Sequence, residues 1–542
     1  MEFQVADLFE AVVDNIPSRE SIVLGKQRLT FADLDKRANK AAHMLKKIGV
    51  RRGEHIGIYA YNCIEWIEVM VGAYKIGAVP ININYRYVEE ELTYLIENAD
   101  MVAVIFQSEF APLLKAIKGR TPKLRQYIHL DELEDELLNL SALKSHNYVA
   151  LVEEATEERS FEKRSGDDIY VLYTGGTTGL PKGVMWRQED VIMTLGGGID
   201  HFTGKKFPSP KAMSKKCLSE PITALALAPL MHGAAQWQTF NSFFSGWKLI
   251  LNDRRSFDAT YIWKLIAKEK VQNLTITGDA MGRPLADALP TVIKKGIDIS
   301  SLAILSSTAA IFSPVIKDEF LKVLPELMII DGVGSTETGS TGMNVYDKKL
   351  GKKDLGGPAF KKPKHSEILD LDTLKPLNEK DTETIGYLSR SGNVPIGYYK
   401  DPKKSSETFI KVDGVKYSIP GDLAKFNSDG QIILLGRGSV SINSGGEKIF
   451  PEEVEAALKA HPNVFDCLVV GTPDKKWGEK VTALLQTRNN KKIKPEELKE
   501  YCRTYIASYK FPKKLLYVDS IKRSPSGKPD YTWAKDKTLQ QS

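Results

Sequence analysis

The chain has 542 residues, and 75 Lys+Arg against 69 Asp+Glu leave a formal net charge of +6, with 42% hydrophobic and 27% charged residues. These values sit near globular averages and exclude a disordered chain, a collagen-like repeat and a disulfide-built miniprotein. At roughly 100–200 residues per domain, the length asks for several hydrophobic cores and at least one joint between them.

The lysines are spread along the chain, so the slight basic excess is no nucleic-acid footprint. The densest basic stretch, Lys205, Lys206, Lys211, Lys215 and Lys216 with Pro208 and Pro210 between them, reads as an exposed loop. A contact there with a polyanionic cofactor or an acidic membrane surface stays open, so peripheral membrane contact is not excluded. Cys63, Cys217, Cys467 and Cys502 are scattered without a Cys-x-x-Cys pair, which argues against zinc. The first twenty residues are acidic and amphipathic, unlike a signal peptide, and no apolar stretch approaches the ~18 residues of a membrane span. The expectation is a soluble protein of a reducing cytoplasm.

In chain order, Phe31 to Leu45 carries apolar residues at helical spacing, His55 to Ala60 is a short strand, Trp66 to Ile76 is helical and Val102 to Phe106 is a buried strand. Apolar strands at Ala224–Ala228, Lys248–Leu251, Asn273–Thr277 and Met328–Ile330 continue the alternation, which predicts an α/β region with largely parallel sheets. Beyond Gly386 the pattern changes to Gly, Pro and Tyr turns and a hairpin around Asp429-Gly430. After Gly436-Arg437-Gly438-Ser439, a helix over Pro451–Ala460, a strand over Val464–Val470, a helix from Lys494 and a strand over Leu515–Val518 predict a small α+β domain.

The strongest local feature is Tyr173-Thr174-Gly175-Gly176-Thr177-Thr178-Gly179-Leu-Pro-Lys182-Gly-Val184, hung from the strand-like Ile169-Tyr-Val-Leu. Glycines let backbone N–H groups converge, and hydroxyls and one ammonium add donors, which is the chemistry of a polyphosphate cradle. It is not a Walker A loop, because Lys182 follows Pro181 and no Ser or Thr comes next. Downstream come Pro229-Leu-Met-His232-Gly233, Asp331-Gly332-Val333-Gly-Ser-Thr336-Glu337, Tyr417-Ser-Ile-Pro-Gly-Asp422-Leu, Gly436-Arg437 and Ser526-Gly-Lys528.

In this order the segments resemble those of the adenylate-forming superfamily, which includes acyl-CoA synthetases, luciferases and the adenylation domains of peptide synthetases. The resemblance covers essentially the whole chain. It implies an α/β fold: a large N-terminal domain of stacked mixed sheets with flanking helices (1–436), a hinge (437–440) pivoting at Ser439, and a small mobile α+β C-terminal domain (441–542). It also implies that Thr174, Gly175, Gly176, Thr177, Thr178, Gly179 and Lys182 hold ATP phosphates, and that Thr336 binds the α-phosphate. Glu337 would be a hard oxygen ligand for Mg²⁺, and Asp422 would accept from the ribose hydroxyls with Arg437 beside it. Ser307, Asp331, Gly332 and Val333 would complete the nucleotide site. Val333 stands where an aromatic residue usually stacks on adenine, and Gly175 where Ser is common.

The implied activity is that of an AMP-forming acyl-CoA synthetase. A carboxylate attacks the α-phosphorus of ATP, pyrophosphate leaves, and CoA then displaces AMP, with Lys528 serving the first step and Gly445, Gly446 and Lys448 passing the CoA arm in the second. His232, Gly233, Ala235 and Trp237, with Thr308, Ala309 and Ala310, would line the acyl pocket. The pocket segment carries no carboxylate for an amino-acid ammonium and no carrier domain follows Lys528, so free acids and CoA are expected. The motif wording is most similar to bacterial fatty-acid and steroid side-chain acyl-CoA ligases. A luciferase-like or carrier-protein-linked enzyme, a degenerate nucleotide-binding regulator and a homodimer remain alternatives or additions.

Overall fold

The computed structural model describes residues 1–175, 180–199, 204–346, 359–444, 447–474, 477–524 and 527–540. The chain packs as two compact units, 1–258 with 393–409, and 259–392 with 410–542.

In the first unit, strands Val79–Asn82, His55–Tyr59, Met101–Phe106, Gln126–His129 and His146–Asn147 lie side by side in that order, all parallel. Met101–Phe106 is buried at every position, as a parallel strand covered on both faces must be. Thr223–Ala226, Lys248–Leu251 and Glu20–Leu24 form a second parallel set, closed by the antiparallel Gln27–Thr30. Strands Ile169–Thr174 and Lys182–Arg187 pair antiparallel, with Gly397–Tyr398 along the far edge.

Helix Phe31–Lys47 is entered through a reciprocal cap. Thr30 accepts from the Asp33 N–H while Asp33 accepts from Thr30, an arrangement that contributes about 1 kcal/mol. The amphipathic N-terminus is helix Val5–Asn15, whose Phe9 packs against Phe31 and Phe243 at 6.2 and 5.3 Å between ring centroids. The basic stretch at 205–216 is not simply a loop. Pro210–Ser214 and Lys215–Leu218 are helical turns, and Met213 and Cys217 are fully buried while Lys211 and Lys215 are exposed. Hydrophobic residues spaced four apart made that segment amphipathic, and burial of its apolar side decided its structure.

In the second unit, Asn273–Ile276, Ile304–Thr308 and Met328–Ser335 are parallel and Gly339–Val345 returns antiparallel. A separate antiparallel sheet joins Ala359–Phe360, Ile432–Arg437, Asp422–Phe426, Gly386–Ser391 and Val415–Ser418 around a small core of Phe360, Ile368, Leu388, Phe426 and Ile432. A single 3-10 turn, Gly438–Val440, then leads into the C-terminal sheet. That sheet pairs Glu447–Ile449, Ile442–Ser444, Gly478–Thr487 and Val464–Asp474, with Lys514–Tyr517 parallel to Gly478–Thr487. Helices Pro451–Lys459 and Pro495–Cys502 bury Val454, Ala457, Leu458, Leu498 and Cys502 against one face. Among the described residues, no helix is long and apolar enough to cross a membrane.

Candidate active site

The first unit presents the ends of the expected phosphate loop. Thr174 closes strand Ile169–Thr174 and Lys182 opens the next strand directly opposite it. Gly175 is described and exposed, whereas Gly176, Thr177, Thr178 and Gly179 lie outside the described residues. The Lys182 ammonium stands 2.7 Å from the Asp401 carboxylate and 5.5 Å from the Tyr398 ring centroid. A polyphosphate replacing Asp401 would meet a cation already held in place.

Beside strand Ile169–Thr174 lies a buried amide network that the motifs did not disclose. Asn82 donates to the carbonyls of Tyr173 and Met231, both at 2.8 Å, and accepts from the Tyr173 N–H at 2.9 Å. Gln236 donates to the Leu230 carbonyl and accepts from the Tyr170 hydroxyl, and Asn62 accepts from the Leu230 N–H. These amides tie the phosphate strand to the segment ending at His232. Their sequence signal is weak, because a single Asn at the end of a strand is common.

His232 is the residue before helix Gly233–Phe244 and its N–H donates to the Pro229 carbonyl. A Cβ on Gly233 would approach Leu172 at 2.6 Å and Trp237 at 2.7 Å. The space left by that glycine is thus filled by protein, and Ala235 is buried in the main core. Gly233 and Ala235 are thus both packed against protein, and Trp237 is partly buried against the same core.

In the second unit, Ser307 is buried at the end of its strand and accepts from the Gly278 N–H at 3.1 Å. Thr308 pairs with Gly332 on the neighbouring strand, while Ala309 turns the chain with φ of 65° and Ala310 follows. Asp331 is buried and its carboxylate meets the Lys317 ammonium at 2.5 Å, so its side chain is engaged within the protein. Burial drives the Asp331 carboxyl above its usual range, with Lys317 partly offsetting the effect. Val333 packs on the core around Phe360, and its carbonyl accepts from Thr341.

Thr336 and Glu337 occupy the tip between strands Met328–Ser335 and Gly339–Val345. Ser335 and Thr338 exchange backbone-to-hydroxyl hydrogen bonds at 3.1 and 3.2 Å across this tip. Thr336 is buried, and the Glu337 carbonyl accepts from Ser418 at 2.6 Å. Asp422 and Arg437 face each other in register on adjacent antiparallel strands, 3.4 Å apart as an ion pair.

Lys528 comes to the same place. The charges acting on it are Arg437, Glu337 and Asp422, and Glu337 and Lys528 in turn act on Asp422. Four residues separated by up to 191 positions, Glu337, Asp422, Arg437 and Lys528, therefore form one electrostatic cluster. Burial pushes the Lys528 ammonium below the usual lysine range, Arg437 pushes it further, and the two carboxylates only partly restore it. Burial raises the Asp422 carboxyl, Arg437 opposes that shift and Glu337 adds to it.

Lys448 is exposed on Glu447–Ile449, opposite Asn443, while Gly445, Gly446 and Ser526 lie outside the described residues. Ser439 falls within the 3-10 turn. Among the described residues no three His, Cys, Asp or Glu side chains converge as a metal site. Glu337 beside Thr336 suits Mg²⁺, which commonly binds through one or two carboxylates together with substrate phosphates.

Comparison with known proteins gives this arrangement a lineage. Residues 9–399 match the model of the AMP-binding enzyme family, and residues 453–528 match that of the AMP-binding enzyme C-terminal domain. The chain is 45% identical to a 3-oxocholest-4-en-26-oate–CoA ligase of Rhodococcus rhodochrous, over 99% of this chain and 96% of that protein. It is 43% identical to a medium/long-chain-fatty-acid–CoA/3-oxocholest-4-en-26-oate–CoA ligase of Mycolicibacterium smegmatis, over 99% and 97%. The fold is similar to that of an anthranilate CoA ligase in complex with anthranoyl-AMP, with a TM-score of 0.84 and 22% identity over 99% of this chain and 98% of that one. With both family models matched in order and relatives aligned nearly end to end, the chain belongs to the AMP-binding enzymes of the adenylate-forming superfamily.

Proposed function

We propose that this enzyme activates a large apolar carboxylic acid, a steroid side-chain acid or a medium- to long-chain fatty acid, as its acyl-AMP and transfers the acyl group to CoA. The observation that carries the reading is that Lys528 lies within electrostatic reach of Glu337, Asp422 and Arg437, the last two an ion pair. The names of the relatives support the choice of acid.

A carboxylate is a poor electrophile, since resonance and negative charge repel a thiolate, and adenylation removes both obstacles. In the first step a carboxylate oxygen forms a bond to the α-phosphorus and the bond to pyrophosphate breaks. Two anions must approach one another, so catalysis consists of in-line positioning and neutralisation of charge. Lys528 supplies a cation between the carboxylate and the α-phosphate, and Thr336 donates to the same phosphate. Asp422 accepts from the ribose hydroxyls, with Arg437 holding its carboxylate in place, and Lys182 exchanges Asp401 for the outer phosphates. Glu337 would hold Mg²⁺, which neutralises phosphate charge.

In the second step the CoA sulfur forms the thioester bond, its proton passes to solvent, and AMP leaves. The 441–542 segment would swing about Ser439 to withdraw Lys528 and bring Gly445, Gly446 and Lys448 to the CoA arm, a hinge movement of the kind common in such enzymes.

Acid-dependent exchange of pyrophosphate into ATP tests the reading. Exchange and CoA-ester formation are expected with 3-oxocholest-4-en-26-oate and with fatty acids, at higher kcat/KM than with acetate or benzoate. No exchange with any carboxylate would leave a nucleotide-binding regulator, and exchange confined to small acids would remove the substrate assignment.

A further inference from the structure

Helix Gly278–Lys294 carries a set of contacts to the C-terminal segment that the adenylation chemistry does not by itself require. Asp279, in its first turn, meets the Lys459 ammonium at 2.7 Å, and both side chains are 6% exposed. Lys459 lies in the last turn of helix Pro451–Lys459, so each charge also sits at the helix end whose dipole favours it. Asp279 is anchored on its other side, accepting from the Ser313 N–H at 2.7 Å and the Ser313 hydroxyl at 2.5 Å.

The turn bearing the catalytic lysine rests on the same helix start. A Cβ on Gly527 would lie 3.1 Å from Ala280 and 3.2 Å from the Thr277 carbonyl. The residues touched by that turn thus flank Asp279 in sequence. The turn is braced from its own side by Arg523, which holds Asp466 through two hydrogen bonds of 2.7 Å and donates to the Gly527 carbonyl at 3.1 Å. Eight residues further along the helix, Asp287 accepts from Arg488 through two bonds of 3.1 Å.

A buried ion pair has a property that a hydrophobic contact lacks. Its attraction is largely offset by the desolvation of two charges, so separating the partners into water costs little, whereas holding one of them buried alone costs several kcal/mol. Such a pair selects one docking geometry and still lets the docked element leave. An apolar patch of similar area would hold the segment with less dependence on register and would have to be exposed on release.

We propose that the Asp279–Lys459 pair is a latch that docks the C-terminal segment on the start of helix Gly278–Lys294, and so positions Lys528 for adenylation alone. The latch opens before thioester formation. Asp279 and Lys459 are positioning residues and touch no substrate. The inference rests on the role of Lys528 proposed above.

Asp279→Asn tests it, because the amide oxygen still accepts from the Ser313 N–H and the amide NH2 donates to the Ser313 hydroxyl oxygen, while the charge that holds Lys459 is lost. The expected result is an adenylation kcat about tenfold lower by ATP–pyrophosphate exchange, with thioester formation from preformed acyl-AMP unchanged or faster. Asp279→Asn combined with Lys459→Met, which also removes the stranded cation, should fall no further than Asp279→Asn alone. Equal losses in both half-reactions would overturn the latch. Hydrogen exchange gives a reading independent of activity. The Gly527 N–H, bonded to the Ser524 carbonyl at 2.8 Å, should lose protection in Asp279→Asn while the Gly478–Thr487 strand keeps its own. Unchanged protection at Gly527 also overturns the latch. Absence of exchange activity in the parent enzyme overturns the functional reading instead, and leaves the hydrogen-exchange test of docking intact.

Discussion

The surroundings of strand Ile169–Thr174 and those of Lys528 are built from different materials. Apart from the Lys182–Asp401 pair at its end, strand Ile169–Thr174 is surrounded by neutral amides: Asn82, Gln236 and Asn62 each bond backbone groups and carry no charge. Around Lys528, the second unit uses charges: Glu337, Asp422 and Arg437 at the site, and Asp279, Lys459, Arg523 and Asp466 at the seat of its turn. A satisfied buried amide is indifferent to pH and costly to break, which suits a scaffold. An ion pair is responsive to pH and can be returned to water, which would suit the proposed assembly of these parts for one half-reaction and their separation for the other.

The largest expected effect breaks the charged side of this contrast. Lys528→Ala should lower adenylation by at least ~10²-fold, the cost typical of losing one transition-state donor, and leave the conversion of preformed acyl-AMP to acyl-CoA largely intact. Comparable losses in both half-reactions would remove Lys528 from its assigned step. Asn82→Ala should behave in the opposite manner. It strands the buried Tyr173 N–H and two carbonyls, a loss of about 2 kcal/mol or more. The thermal midpoint should fall by the same amount at pH 6 and pH 9, and the ratio of the two half-reaction rates should stay that of the parent. A shift in that ratio would mean that the amide network also takes part in switching.

A smaller effect sharpens the contrast through pH. Burial and Arg437 hold the Lys528 ammonium below the usual lysine range, so its charge is lost earlier than usual as pH rises. The kcat/KM for adenylation, which reports the free enzyme, should decline on the alkaline side below the ordinary lysine pKa of about 10.4. Lys528→Arg should abolish that decline whatever its absolute rate, because a guanidinium remains charged. An alkaline limb that survives in Lys528→Arg belongs to another group.

What could be read in advance follows the same division. Strands such as Met101–Phe106 and Lys248–Leu251 announced themselves because burial on both faces demands an unbroken apolar run. Glu337, Asp422, Arg437 and Lys528 were legible because each lies in a short motif whose order survives in the chain. Asn82 and the Asp279–Lys459 pair were not, since their meaning lies in partners 91 and 180 positions away, and no local spacing encodes that. The 205–216 stretch misled through its lysines, because Met213 and Cys217 between them decide which side is buried. The resemblance places Gly233 in the acyl pocket, and only the positions of Leu172 and Trp237 show what stands beside it.

The smallest effect concerns a charge placed where neither unit can use it well. Glu452, near the start of helix Pro451–Lys459, lies against Gly436, whose φ is 116° and where a Cβ would stand 2.6 Å from the carboxylate. Only glycine accommodates both that backbone and that neighbour. Burial raises the Glu452 carboxyl to about 8, with Glu455 and Asp422 adding to the shift and the Glu452 and Arg437 N–H groups opposing it. One of its oxygens has no hydrogen-bond partner among the described residues. A carboxyl raised in the folded state binds its proton more tightly there than in the unfolded chain, so ionisation favours unfolding. The penalty is absent below the ordinary carboxyl pKa, grows as pH rises from there to about 8, and is constant above. Glu452→Gln should therefore leave the thermal midpoint unchanged near pH 4.5 and raise it by a few degrees at pH 8.5. A gain of equal size at both pH values would show that packing alone is responsible. A loss at pH 8.5 would show that the ionised carboxylate, held by the Arg437 N–H, is itself one of the contacts that fix the backbone beside the 3-10 turn.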